Sequence, residues 1–307
     1  AVLPGVTCTA QSTILTGLPP ASHGIVGNGW YFHDLSEVWF WRQSNRLVHG
    51  QRVYDAARRY HPHYTVAKMF WWYNMYADVN WSVTPRPSYA ADGRKFFDSY
   101  SKPHDLKDEL QQQLDVFPLL KFWGPGADIS SSAWIADASV DVMQRFNPTL
   151  TLVYLPHLDY NLQRLGPSDP AIAADIRLVD AEAGKVINAA REREAEVVIL
   201  SEYGITDVEQ PIAINRILRE HGYLAIRREI AGWEIVDYGA SRAFAVADHQ
   251  FAHVYIRRPQ DVEFVKAILQ KVDGIEFVLD AEEQEEFGID HARSGQLVAI
   301  SDRKSGF

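Results

Sequence analysis

The sequence predicts an α/β fold: a mostly parallel, doubly wound sheet with helices on both faces, plus a smaller α+β lobe. Three stretches carry that prediction. Residues 149–155 (TLTLVYL) are an apolar run rich in strand-forming residues, residues 169–194 have helical spacing, and residues 196–201 (EVVILS) are a second apolar run. Strand, helix, strand in that order is a βαβ unit, whose crossover makes its two strands parallel. A chain of 307 residues with 47% hydrophobic content buries a sizeable core. The expected division is a core over 1–221 and a smaller lobe over 222–307.

Taken in order, the chain opens on Thr7–Asn28, TCTAQSTILTGLPPASHGIVGN. The pattern places the Thr7 hydroxyl at the start of a helix, with a glycine turn at Gly17, and Pro19-Pro20 and His23-Gly24 in a loop that wraps back over it. A helix N-terminus carries unsatisfied N–H groups and a positive dipole end, so it attracts phosphate or a developing oxyanion. Residues 36–125 hold Trp39, Trp41, Trp71, Trp72, Trp81 and Trp123, a helix at 104–114, and turns at Pro85-Arg86-Pro87 and Gly124-Pro125-Gly126. Ser168 or Asp169 caps the helix over 169–194, with Pro170 in its first turn. After residue 222 come short strand-like runs, a helix near 260–271, and strands at 275–279 and 297–301.

Ligands of open α/β sheets collect at the carboxyl ends of the strands. Two acidic segments sit there: His157-Leu158-Asp159 after the first run, and Ser201-Glu202-Tyr203-Gly204 after the second. Net charge of −10 and a pI near 5.5 exclude a nucleic-acid duplex held on a basic stripe. One cysteine excludes a disulfide framework and a Cys-based zinc cluster. No apolar run is long enough to span a bilayer. The compartment is not legible beyond a lean to the cytoplasm, nor is the oligomeric state.

The Thr7–Asn28 stretch, with TG-x-PP-x-x-HGI-x-GN in one ungapped run, resembles the nucleophile segment of the type I phosphodiesterase/nucleotide pyrophosphatase and phosphonoacetate hydrolase branches of the alkaline phosphatase superfamily. The resemblance implies that Thr7 is the nucleophile and touches a metal, and that Asn28 holds a phosphoryl oxygen. It also implies a small phosphate-ester substrate and a divalent metal. Zinc is the metal the family suggests; manganese or magnesium would suit oxygen ligands.

In that family a second motif has an Asp, then a His four residues on, before Gly-Pro. Here Asp159 stands in the Asp position and Gln163 in the His position, ahead of Gly166-Pro167. A third motif, Ser-Asp-His-Gly, becomes Ser201-Glu202-Tyr203-Gly204. Asp159 and Glu202 keep carboxylate chemistry, whereas Gln163 and Tyr203 are poor zinc ligands. The family's first metal Asp and last His would lie beyond the two ends of this sequence, which reads as a core lacking its first strand.

Substitute ligands or supporting groups are His157, two residues before Asp159, and Asp248-His249 in the C-terminal lobe. His253 is a weaker candidate, and His23 reads as a turn residue beside Gly24. Trp30 and Tyr31, close behind Asn28, are candidates for a substrate pocket that stacks on a leaving group. The expected activity is metal-dependent phosphodiester hydrolysis through a phospho-threonine. The alternative is a metal-poor relative that binds a phosphorylated ligand or partner with little turnover.

Overall fold

The computed structural model describes residues 2–92 and 94–307. The helices used below are α1 (Thr7–Thr16), α2 (Val53–Tyr60), α3 (Leu106–Leu114), α4 (Ile129–Phe146), α5 (His157–Leu165), α6 (Ile172–Arg191), α7 (Ile214–Glu220) and α8 (Val262–Leu269). The strands are β1 (Gly29–Phe32), β2 (Glu37–Phe40), β3 (Val66–Met69), β4 (Trp81–Pro85), β5 (Ser99–Lys102) and β6 (Leu150–Val153). They continue with β7 (Ala243–Asp248), β8 (Phe251–Ile256), β9 (Ile275–Leu279) and β10 (Leu297–Ser301).

The chain forms two compact units. The first comprises the residues through Arg42, Leu47–Gly50 and Glu202–Phe307; the second comprises Gln43–Arg46 and Gln51–Ser201.

The second unit is built on a four-stranded sheet in the order β5-β4-β3-β6. β4, β3 and β6 run parallel, with Met69 opposite Val83 and Val153, and β5 closes one edge antiparallel. Strand alternation sends successive side chains to opposite faces. Ala67, Met69 and Val83 pack with Leu106 and Leu110 of α3 and Trp134, Ile135, Ala138 and Val142 of α4. Lys68, Ser82 and Thr84 occupy the opposite face and are buried as well.

The first strand and the crossover helix of the expected βαβ unit are present as β6 and α6. Asp169 Oδ1 accepts the Ala171 N–H at 2.8 Å just before α6. The second strand is not. Residues 195–200 have no regular structure, and Val198 and Ile199 are 78% and 77% exposed. An apolar run becomes a strand only where a neighbour completes its ladder. β6 pairs with β3 on one side, and among the described residues no strand is hydrogen-bonded to the other.

In the first unit an antiparallel sheet runs β7-β8-β10-β9. Ala245, Val254, Leu297 and Val278 from its strands pack with Leu218 of α7 and Val265 and Leu269 of α8. A separate hairpin pairs Ile226–Arg228 with Glu234–Val236. The texture anticipated after residue 222, short strands followed by a helix and two more strands, is therefore present. β1 and β2 form another hairpin directly behind Asn28. Among the described residues, no helix is long and apolar enough to cross a membrane.

Candidate active site

Thr7 is the first residue of α1, and it is buried. Val6 occupies the cap position in extended conformation, without a side-chain cap, so the Thr7 hydroxyl is not spent on capping. Farther along α1, the Ser12 and Thr16 hydroxyls bond back to the carbonyls of Cys8 and Ser12, both at 2.7 Å. Gly17 ends the helix at φ 68°, a conformation that favours glycine. The Thr7 hydroxyl instead lies 3.4 Å from the phenol oxygen of Tyr203. One turn on, Gln11 donates from Nε2 to Glu202 Oε1 at 2.5 Å. Two residues that the sequence places side by side, Glu202 and Tyr203, thus meet successive turns of α1.

Asn28 is held from three directions. Its Oδ1 accepts the Cys8 N–H at 3.0 Å, filling one of the orphan donors of the α1 N-terminus. Its backbone N–H donates to Asp248 Oδ2 at 2.7 Å and its Nδ2 donates to Asp248 Oδ1 at 3.1 Å. Both oxygens of Asp248 are therefore engaged, and burial raises the pKa of its carboxyl. A Cβ on Gly27 would come within 3.3 Å of Asp248 Oδ2 and 3.1 Å of Gly29 O, so the loop approaches the carboxylate at its glycine.

Two buried histidines brace this loop. Gly295 N–H donates to His253 Nδ1 at 3.1 Å, which leaves Nε2–H to donate to Val26 O at 2.9 Å. Ile25 N–H donates to His23 Nδ1 at 3.0 Å, which leaves Nε2–H for the Thr13 hydroxyl at 2.9 Å. Burial is the main cause that pulls each ring down to about 4, so both are neutral at physiological pH. Each ring has both nitrogens occupied, so neither is placed to bind a metal.

The other candidates fall as follows. His249 is largely exposed, at φ 63°, with Nε2 3.8 Å from Asp248 Oδ1. Trp30 is buried, stacked on Phe32 and covered by the Arg293 guanidinium. Tyr31 packs into an aromatic cluster with Phe244 and Tyr255. Both rings contribute to packing inside their unit. Asp159 belongs to the second unit, where Gln163 donates from Nε2 to its Oδ2 at 2.7 Å. His157 is buried at the start of α5, Nε2 3.2 Å from Asp175 Oδ1, a contact without hydrogen-bond alignment.

The profile of the type I phosphodiesterase / nucleotide pyrophosphatase family matches residues 1–307. The chain belongs to that family. It is similar to an uncharacterized pyrophosphatase/phosphodiesterase of Schizosaccharomyces pombe (strain 972 / ATCC 24843), with 23% identity over 219 residues. That match spans 70% of this chain and 38% of the fission-yeast protein.

Two solved structures share the fold. Phosphonoacetate hydrolase from Sinorhizobium meliloti 1021, in complex with phosphonoacetate, has a TM-score of 0.67 and 19% identity, covering 100% of this chain and 72% of that one. An inactive form of murine ectonucleotide pyrophosphatase / phosphodiesterase 5, in complex with AMP, has a TM-score of 0.62 and 15% identity, covering 98% and 68%.

Among the described residues of this family member, no group of three or more His, Cys, Asp or Glu side chains could hold a metal ion. Around Thr7 the donors are one carboxylate, one phenol and two amides, with each oxygen of Asp248 already accepting a hydrogen bond from Asn28. That donor set does not fit a zinc pair, which asks for imidazoles and carboxylates in small ligand sets. The positions of Asp248 and Gln11 were not legible as partners of Asn28 and Glu202. Each pairing spans about two hundred residues of sequence and follows no short motif.

Proposed function

We propose that this chain is a phosphoric diester or pyrophosphate hydrolase that uses Thr7 as nucleophile. The observation that carries the reading is the Thr7 hydroxyl at the head of α1, uncommitted to capping, beside an Asn28 amide locked by Cys8 and Asp248. Thr7 Oγ1 attacks phosphorus, the bond to the leaving oxygen breaks, the leaving oxygen takes up the proton that Thr7 gives up, and a phospho-threonine forms. Water then attacks the same phosphorus and releases Thr7.

Asn28 Nδ2 uses one proton on Asp248. Its other proton is the donor available for a phosphoryl oxygen, in a place pre-set by the fold. Tyr203 lies within reach of the Thr7 hydroxyl and orients it. A metal such as the family's zinc would stabilise charge on the phosphoryl oxygens if bound. The residues around Thr7 do not fit a zinc pair, so no step is assigned to one. Substrates of the kinds bound by the two structural relatives, a phosphonate or a nucleotide, set the range to screen.

The replacement of imidazoles by Gln163 and Tyr203 favours a second reading: binding of a phosphorylated ligand with little turnover. One experiment separates the two. The purified chain is assayed on bis(4-nitrophenyl) phosphate with and without added zinc or manganese, alongside Thr7→Ala. Turnover that disappears in Thr7→Ala supports the hydrolase. Saturable phosphate binding without turnover under any condition supports the second reading.

A further inference from the structure

The second unit holds a wholly buried lysine that the Thr7 chemistry does not use. Lys68 of β3 is 0% exposed, and its Nζ donates to Tyr73 O at 2.8 Å. No Asp or Glu pairs with it among the described residues, although an ammonium brings three protons and a charge that is costly to bury unpaired. Burial pulls its pKa down to about 7, with the positive charge of Arg52 acting in the same direction and Asp55 opposing. A substantial share of Lys68 is thus neutral amine with a lone pair at neutral pH.

Its surroundings are polar and incompletely bonded. The register places Ser82 of β4 directly beside Lys68, and Thr84 follows on the same face. Asn74 reaches over the strands, donating from Nδ2 to Lys68 O at 2.9 Å and to Val83 O at 3.2 Å. The Ser82 and Thr84 hydroxyls, the Tyr54 hydroxyl and Asn74 Oδ1 are buried without a hydrogen-bond partner. Tyr54 stands in sequence between Arg52 and Asp55, the two charges that act on Lys68. Native interiors leave few such atoms, and the two unbonded hydroxyls that share a face with Lys68, those of Ser82 and Thr84, call for a physical reason.

We propose that Lys68 is a carbamylation site, where the neutral Nζ takes up carbon dioxide and the resulting carbamate accepts hydrogen bonds from the Ser82 and Thr84 hydroxyls. The Nζ lone pair forms an N–C bond, one C=O electron pair moves onto oxygen, and one Nζ proton leaves to solvent. No oxidant or reductant is needed. The remaining N–H keeps its bond to Tyr73 O, and the new negative charge is offset by Arg52. Carbon dioxide suits an enclosed amine because it is small and uncharged. A larger carbonyl compound or a hydrated anion would have to bring bulk or charge through the wall.

The test uses the intact 307-residue chain. Equilibrated with ¹³C-bicarbonate in mildly alkaline buffer, it should show a carbamate carbon resonance that is absent in Lys68→Arg. Treatment with triethyloxonium, which converts carbamates to stable ethyl esters, should then mark the Lys68 peptide in mass spectrometry. Occupancy should exceed that of exposed Lys102 and Lys271 by about tenfold or more, the scale of a hydrogen bond to a charged group. Ser82→Ala should reduce it several-fold. Absence of the resonance in the wild-type chain, or labelling of Lys68 no greater than that of the exposed lysines, overturns the assignment.

Discussion

Asp248 is the side chain whose removal tests the architecture around Asn28 most severely. Asp248→Ala deletes both acceptors, leaving the Asn28 backbone N–H and one Nδ2 proton without partners. A buried donor without an acceptor costs about 1–3 kcal/mol. Two such donors, less what is recovered by no longer burying a carboxylate, give a net loss of about 2–4 kcal/mol.

Asp248→Asn separates the two bonds. Its carbonyl oxygen still accepts the backbone N–H, but its amide then faces the Asn28 Nδ2. Asn28 does not flip to accommodate it, because its Oδ1 accepts the Cys8 N–H at 3.0 Å. The expected loss is about half that of the alanine variant.

The sign of the pH effect follows from burial. The folded-state pKa of Asp248 is raised, so the folded chain binds this proton more readily than the unfolded chain. The Asp248 contribution to stability therefore declines as pH rises from the ordinary carboxylate range through the folded pKa, and Asp248→Asn removes that slope. Urea unfolding followed by circular dichroism reads both effects. An alanine variant within about 0.5 kcal/mol of wild type, the range of an ordinary surface change, refutes the reasoning. So does an asparagine variant with an unaltered pH slope.

Two further outcomes are expected. The folded pKa of about 4 for both His23 and His253 lies below the unfolded value near 6.5, so stability should fall as pH drops between those limits. Each ring contributes about 1.4 kcal/mol per pH unit. Urea midpoints should decrease markedly from about pH 7.5 to about pH 5, and less in His253→Gln; identical slopes for the two proteins contradict this. Separately, under the proposed function, Gln163→His combined with Tyr203→His introduces imidazoles at the two positions where the sequence resemblance implies them. Zinc retained after dialysis, measured by elemental analysis, should rise toward about one ion per chain. No change would remove those two positions as determinants of zinc binding.

What the sequence disclosed depended on how local the governing physics is. β6, α6 and the strands after residue 222 were readable because β-branched runs, helical spacing and Asp169-Pro170 act over a few residues. Val197–Leu200 reads as a strand yet lies exposed. Its apolarity states what the segment would bury, while a ladder depends on a neighbour the segment does not encode.

The site was legible in the same uneven way. Thr7 at the head of a helix and Asn28 behind a glycine loop followed from the motif itself. Asp248 looked like a metal ligand because it is a carboxylate beside a histidine. Its two oxygens accept hydrogen bonds from Asn28, 220 residues away in sequence, a supporting role that the sequence did not disclose. Trp30 and Tyr31 looked available by proximity to Asn28, but alternation along β1 sends them to opposite faces, where Trp30 packs with Phe32 and Arg293 and Tyr31 with Phe244 and Tyr255.

Acid-quenched reaction mixtures offer the most direct reading of the chemistry at Thr7. After brief exposure to a phosphodiester that the chain turns over, peptide mapping should find a phosphoryl ester on the hydroxyl of Thr7, absent in Thr7→Ala. Turnover that persists in the alanine variant, with no phosphorylated peptide in the wild type, would contradict the assignment of the nucleophile.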